Sequence, residues 1–203
     1  MAQHFRLLNE QQVHSLLPMN DLIAAMESAL AKFSARDVLQ PVRTVLTVGP
    51  TKAYFGLMPA YIPQAPRGGT MGAKLVTVYG ENHKQNLPSH LATILLLDPE
   101  TGMLQAILDG RYITEARTAA VSAVSTRFLA NPEASTLAII GSGVQARSHL
   151  DAYQHVRQLT SVRIWSPSAQ SRQSFVDDMS PTVGIPIKAM DTAETAAVRA
   201  SVM

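Results

Sequence analysis

Apolar and polar positions alternate in two rhythms along this chain. Asn9 can cap a short helix, with Gln12 three residues on as its capping-box partner. After Asn20, the residues Leu22, Ile23, Met26, Ala29, Leu30 and Phe33 recur at three- and four-residue steps. One apolar stripe of that period predicts a second helix, and Pro41 closes the region. Short β-branched or aromatic runs follow at 42–48, 54–58, 73–79 and 93–97. Asp98-Pro99-Glu100-Thr101-Gly102 is turn chemistry, and with the run 103–108 it predicts a hairpin. Residues 114–129 are rich in Ala, Val and Ser with few breakers, which predicts a buried helix that Asn131-Pro132 ends. The text then alternates: strand 137–140, helix 144–159, strand 162–165, helix 168–179, strand 185–188, helix 192–199. Three strand–helix alternations predict a parallel sheet with crossover helices. A domain boundary is expected near residue 130, giving domains 1–130 and 131–203.

Composition narrows the classes. At about 150 residues per domain, 203 residues suggest one large domain or one and a part. Of these residues 46% are apolar and 16% charged, so there is material for a core. Seventeen basic against fifteen acidic side chains leave only +2, which argues against nucleic-acid backbone binding as the main activity. The absence of cysteine excludes thiolate catalysis, disulfide scaffolds and cysteine zinc sites. The N-terminus lacks the apolar core of a signal peptide, and runs such as Ile94–Leu97 and Leu137–Ile140 fall far short of a ~20-residue membrane span. A soluble, cytoplasmic protein without membrane association is expected.

The sharpest motif follows the strand at 136–140. Gly141-Ser142-Gly143-Val144-Gln145-Ala146 is G-x-G-x-x-A between a strand and a helix, the dinucleotide-binding fingerprint. Gly141 allows the tight turn, Gly143 lets the backbone approach a pyrophosphate, and Ala146 lets the helix pack close to the strand. The helix N-terminus offers N–H groups and a positive dipole end to the phosphates. A glycine turn of purely structural purpose is the alternative. An NAD site usually places an acid at the end of the second strand. Here Val162–Trp165 runs into Ser166-Pro167-Ser168, with no acid until Asp177. With Arg163 and Arg172 nearby, the hydroxyls suit a 2′-phosphate, so NADP(H) is expected in preference to NAD(H), unless both arginines are solvated surface.

Other candidates are weaker singly. Arg43 lies in an extended run, Lys74 opens Lys74-Leu75-Val76-Thr77, and Arg117 sits in the first turns of an otherwise apolar helix. A half-buried cation needs a partner, which a bound carboxylate would supply. Taken alone, each reads first as an ordinary surface or strand-edge cation. His90 at a strand start reads as structural, and the six histidines show no metal-ligand spacing, so no metal is expected. Pro66-Arg67-Gly68-Gly69-Thr70-Met71-Gly72 lacks the ending of a P-loop and reads as a flexible connection.

In order, Gln40-Pro41-Val42-Arg43-Thr44, Met58-Pro59-Ala60-Tyr61, Lys74-Leu75-Val76-Thr77, Pro88-Ser89-His90, Asp109-Gly110, Ile113-Thr114, Arg117-Thr118-Ala119-Ala120 and the glycine motif resemble the ornithine cyclodeaminase/mu-crystallin family. The resemblance runs from about residue 5 to 200, and is nearer to mu-crystallin and the bacterial imine reductases than to true cyclodeaminases. It implies an α/β enzyme: an α+β substrate and dimerisation domain, then the first half of a Rossmann-type domain. It also implies a homodimer formed through the first domain's sheet. By motif, Arg43, Lys74 and Arg117 would meet a substrate carboxylate and imine, with Lys74 as general acid. Ser89, His90, Arg117 and Thr118 would line the nicotinamide, Gly141, Gly143, Val144 and Gln145 the pyrophosphate, and Ser166 and Ser168 the adenosine ribose. The implied reaction is NAD(P)H-dependent reduction of Δ1-pyrroline-2-carboxylate or Δ1-piperideine-2-carboxylate to proline or pipecolate.

Three rival readings are ornithine cyclodeamination with bound NAD, an opine-type or alanine dehydrogenase, and NADPH-dependent binding of a small ligand without turnover. Family members extend beyond the matched stretch, so the chain is expected to be a truncated form with impaired cofactor binding and turnover.

Overall fold

Asn9 caps the first helix as its spacing predicts. Its Oδ1 accepts from the Gln12 N–H at 2.9 Å, while its own N–H donates to Gln12 Oε1 at 3.0 Å. The fold is a computed structural model that describes residues 4–50, 53–63, 68–198 and 200–202. Its contacts gather the chain into two units. The first holds residues up to Leu17 together with Ser28–Thr114; the second holds Pro18–Glu27 and Glu115 onward.

In the first unit, six strands form one sheet: β1 (Arg6–Leu8), β2 (Thr44–Val48), β3 (Ala53–Ile62), β4 (Thr70–Val78), β5 (His90–Leu97) and β6 (Leu104–Asp109). Their order is β1-β6-β5-β4-β3-β2, antiparallel throughout except for the parallel β1–β6 pair. The expected hairpin is β5–β6. Asp98 organises its turn: Oδ1 accepts from the N–H groups of Glu100 and Thr101, each at 2.9 Å, and Oδ2 from Gln105 Nε2 at 3.1 Å. These donors, the Thr101 N–H foremost, hold the Asp98 carboxyl below the usual carboxylate range.

Residues directly opposite in neighbouring strands share a face. Leu46, Phe55, Leu57, Leu75, Leu91, Leu95 and Ile107 therefore lie on one apolar face. Met58, Lys74, Val76, Val78, His90 and Ile94 lie on the other. Leu46, Leu57 and Leu91 are exposed, Leu46 by 56%.

Several boundaries differ from the sequence reading, each for a tertiary reason. β1 has only three residues and forms because β6 offers it a parallel partner. β3 continues through Pro59. The Tyr61 N–H points to Leu39, so the Pro59 nitrogen, two residues back, faces the same side, in the gap between Leu39 and β2 where no ladder bond is needed. Of the glycine-rich stretch, 66–67 lie outside the described residues, and Thr70–Gly72 are the start of β4 rather than a flexible connection. A 3-10 turn, Gly80–Gln85, was not foreseen.

The helices are α1 (Glu10–Leu16), α2 (Met19–Ser34), α3 (Arg111–Leu129), α4 (Val144–Gln154), α5 (Ala169–Val183) and α6 (Ala193–Ala197). The α2 stripe is buried at Leu22 and Ile23, with Met19 before it, but Leu30 and Phe33 are exposed. In the second unit α3 buries Ala116, Ala119, Ala120, Ala123 and Val124, whose spacing puts small side chains on one face. Its C-terminal carbonyls are held by Arg157, which donates to Thr126 O at 2.7 Å and Ala130 O at 3.0 Å. α5 runs one turn past its expected end, through Pro181, and stops at Gly184.

The predicted alternation produces the parallel sheet β7 (Thr136–Ile140), β8 (Ser161–Trp165), β9 (Ile187–Ala189), over a core of Leu137, Leu150, Val162, Ile164 and Phe175. Val202 then bridges in parallel to Leu137 on the opposite side of β7 from β8. The chain thus steps outward twice and returns to the far side of β7. That reversal creates a switch point at the carboxyl end of β7, where open α/β sheets bind ligands.

Candidate active site

At the end of β7, Gly141 adopts φ +116°, where a side chain is strained, and its N–H donates to Trp165 O at 2.7 Å. Gly143 is different. At φ −79°, ψ −168° its backbone is open to any residue, and it caps α4 without a side chain. A Cβ built at either glycine meets no atom within 4 Å. The protein's own packing gives no reason for glycine at 143; a group brought close to the backbone does. The first-turn N–H groups of Val144 and Gln145 belong to those that a helix leaves unpaired, at its positive dipole end. A cavity of about 360 Å³ adjoins this loop, lined by β7, Gly141, Gly143, Gln145, His149 and Tyr153. These features fit the pyrophosphate of a dinucleotide.

A polar network backs the loop. Ser142 Oγ donates to Ser166 Oγ at 2.9 Å, and Ser166, buried, passes its hydrogen to Ser168 O at 3.3 Å. Arg172 Nη1 donates to Ser166 O at 2.6 Å. Ser168 is exposed and caps α5, accepting from the Ser171 N–H at 3.2 Å. Arg147 donates to Ser142 O and, at 2.6 Å, to Asp178 Oδ2, while its guanidinium lies 5.3 Å from the centre of the Phe175 ring. This bond, then the Arg147 charge, holds the Asp178 carboxyl below the usual range. Arg163 donates to Val198 O.

The other sequence candidates divide between the units. Arg117 and Thr118 are half-buried on α3, in the second unit with the glycine loop. In the first unit, half-buried Lys74 sits in β4 between Met58 and Ile94, and His90 lies opposite Val78 on the same face. Ser89 accepts from the Tyr79 N–H through its carbonyl at 2.8 Å. Arg43 is exposed just before β2. Among the described residues no three His, Cys, Asp or Glu side chains gather as a metal site, and no helix is long and apolar enough to cross a membrane.

Sequence reasoning missed His149. Its Nδ1 lies 2.7 Å from Gln145 O and its Nε2 3.1 Å from Ser122 Oγ on α3. Tyr153 stands edge-on to its ring, 6.0 Å between centroids. The four-residue steps Gln145, His149, Tyr153 on α4 and Thr118, Ser122 on α3 were the available signal.

The sequence profile of the ornithine cyclodeaminase/mu-crystallin family matches residues 4–203. The chain belongs to this family. Its relatives include the ketimine reductase mu-crystallin of Rattus norvegicus, 40% identical over 188 residues, covering 91% of this chain and 58% of that protein. The family member thus spans little more than half the length of this curated relative. The solved Δ1-pyrroline-2-carboxylate reductase of Thermococcus litoralis, in complex with NADH and L-proline, superposes with a TM-score of 0.90 at 33% identity, over 97% of this chain and 60% of that one. An archaeal alanine dehydrogenase dimer with bound NAD gives 0.87 at 27% identity, over 95% and 57%. The fold class is therefore the one expected: an α+β sheet unit followed by strands of a Rossmann-type domain.

Proposed function

We propose that this family member takes part in NAD(P)H-dependent reduction of cyclic imino acids, Δ1-pyrroline-2-carboxylate or Δ1-piperideine-2-carboxylate, to proline or pipecolate. The observation that carries the reading is Gly143, a glycine that neither backbone nor packing requires, at the mouth of a helix N-terminus. The kinship with the Thermococcus reductase supports the substrate class. Residues 131–203 would supply the dinucleotide side, and residues 1–130 the substrate and subunit-pairing side.

When bound, the nicotinamide supplies the hydride that reduces the imine carbon. Gly141, Gly143, Val144 and Gln145 would hold the pyrophosphate, Ser89, His90, Arg117 and Thr118 the nicotinamide end. Ser168 would face the adenosine ribose, with Ser166 as its buried support. The guanidinium groups of Arg43 and Arg117 suit a carboxylate, which they bind in bidentate fashion. Lys74 would donate the proton that the imine nitrogen gains, which makes it the general acid. NADP(H) is the preferred cofactor and NAD(H) the lesser one. No carboxylate ends β8, and Arg172 stands beside Ser166 and Ser168; Arg163 turns instead to Val198. The exposed apolar face of the first unit's sheet supports a homodimer, and the cytoplasm is the compartment this reading implies.

The test is oxidation of NADPH and of NADH with each imine, for the wild type and Lys74→Ala. Turnover is expected with NADPH preferred and lost in the variant. Unchanged turnover in Lys74→Ala rejects its role, and tighter NADH binding rejects the NADP preference.

A further inference from the structure

Resting on the dinucleotide reading above, we infer that His149 is a positioning residue that ties the glycine-loop helix to the face of α3 carrying Thr118. Gln145 O can only accept, so Nδ1 of the neutral ring carries the hydrogen and Nε2 accepts from the Ser122 hydroxyl. The two ring nitrogens thus do separate jobs. One anchors the ring to its own helix at Gln145, the second residue of α4; the other reaches across to α3. Tyr153, one turn further along α4 and buried, holds the ring edge-on. The imidazole is therefore fixed at both nitrogens and against an aromatic neighbour.

The placement of this link gives it a function. Gln145 lies in the first turn of α4, among the residues that would cradle the pyrophosphate, and His149 lines the same cavity. Ser122 is four residues beyond Thr118 on α3, so both lie on one helical face. The His149–Ser122 bond sets the distance between the first turn of α4 and that face. A dinucleotide must engage both at once; its adenosine half alone needs only the loop and the end of β8. The bond then matters for the whole cofactor and little for half of it.

Gln and Asn separate the two jobs of the ring. The Gln amide oxygen can take the place of Nε2 and keep the link to Ser122. The shorter Asn can replace Nδ1 but cannot reach α3. The experiment titrates NADPH, and separately ADP, into the wild type and into His149→Gln, His149→Asn and Ser122→Ala. His149→Asn and Ser122→Ala are expected to bind NADPH about tenfold more weakly, the effect of one lost hydrogen bond, with ADP affinity changed less than about twofold. His149→Gln is expected to restore NADPH binding, and long-range ¹⁵N correlation of the wild type to show the Nδ1–H tautomer. Asn binding as well as Gln, or NADPH and ADP weakening in parallel with melting temperature, overturns the inference. A wild type that binds NADPH while all three variants match it overturns the inference alone. A wild type that binds neither nucleotide overturns the dinucleotide reading, and the inference with it.

Discussion

The two glycines of one motif should respond in opposite ways to the same methyl group. At Gly141 the backbone sits at φ +116°, where an L side chain crowds its own peptide units; Gly141→Ala should cost about 1–3 kcal/mol of folding stability. At Gly143 the backbone is ordinary extended chain, and an added Cβ meets nothing within 4 Å. Gly143→Ala should therefore change stability by less than about 1 kcal/mol, since losing a favoured N-cap residue of α4 offsets the gain from restricting the unfolded chain. The methyl would instead stand where a pyrophosphate must approach the backbone. Displacing it from one or two helix N–H groups loses charge-assisted bonds worth about 1.5–3 kcal/mol each, or about 10- to 100-fold in affinity for a single bond. Urea denaturation and NADPH titration on the same two variants separate the effects. A Gly143→Ala protein that binds NADPH as the wild type does, or that loses as much stability as Gly141→Ala, refutes the assignment of that glycine to a ligand.

Arg157→Leu removes the guanidinium that caps α3 at Thr126 and Ala130, and should lower stability by about 2–3 kcal/mol in urea; an unchanged midpoint would show the cap to be idle. Asp98 has its folded pKa depressed by the Thr101 donors, so its stabilising effect is complete above the unfolded value of ~3.9 and fades as pH falls through the depressed folded value. Acid unfolding of Asp98→Asn, followed by circular dichroism, should show a stability deficit against wild type that narrows on the acid side of that window; a deficit independent of pH contradicts the linkage. Leu46→Asp with Leu91→Lys places charge on the exposed apolar face of the six-stranded sheet. Light scattering should find a dimer in the wild type and a shift to monomer in the double variant, and an undisturbed dimer would move the interface elsewhere.

What could be read from the sequence was local. The Asn9–Gln12 box closes over three residues, and the glycine loop declares itself by the strand before it and the helix after it. The stripe on α2 was legible as a period, but a period names a face without saying what covers it, so the exposure of Phe33 was out of reach. β1 depends on a partner that only the folded sheet provides. The Ser142–Ser166 bond spans two strands whose register had to be known first. The same holds for His149: its helix was predicted, but its partner Ser122 lies 27 residues away on another helix.

β1 also dictates an order of assembly. Strands β2 to β5 each pair with a neighbour in sequence, and the hairpin β5–β6 closes over six residues, so most of the sheet can zip locally. Arg6 instead pairs with Ala106, and Glu10 reaches Arg111 across a similar interval. On a ribosome adding about 5–20 residues per second, β1 is made roughly 5–20 s before its partner strand. Loop closure over so many residues is entropically the most demanding step of the sheet. Made before the other strands of its sheet, β1 is thus the last of them to be seated, and until then Leu7 and Leu8 travel unpaired beside a growing apolar face.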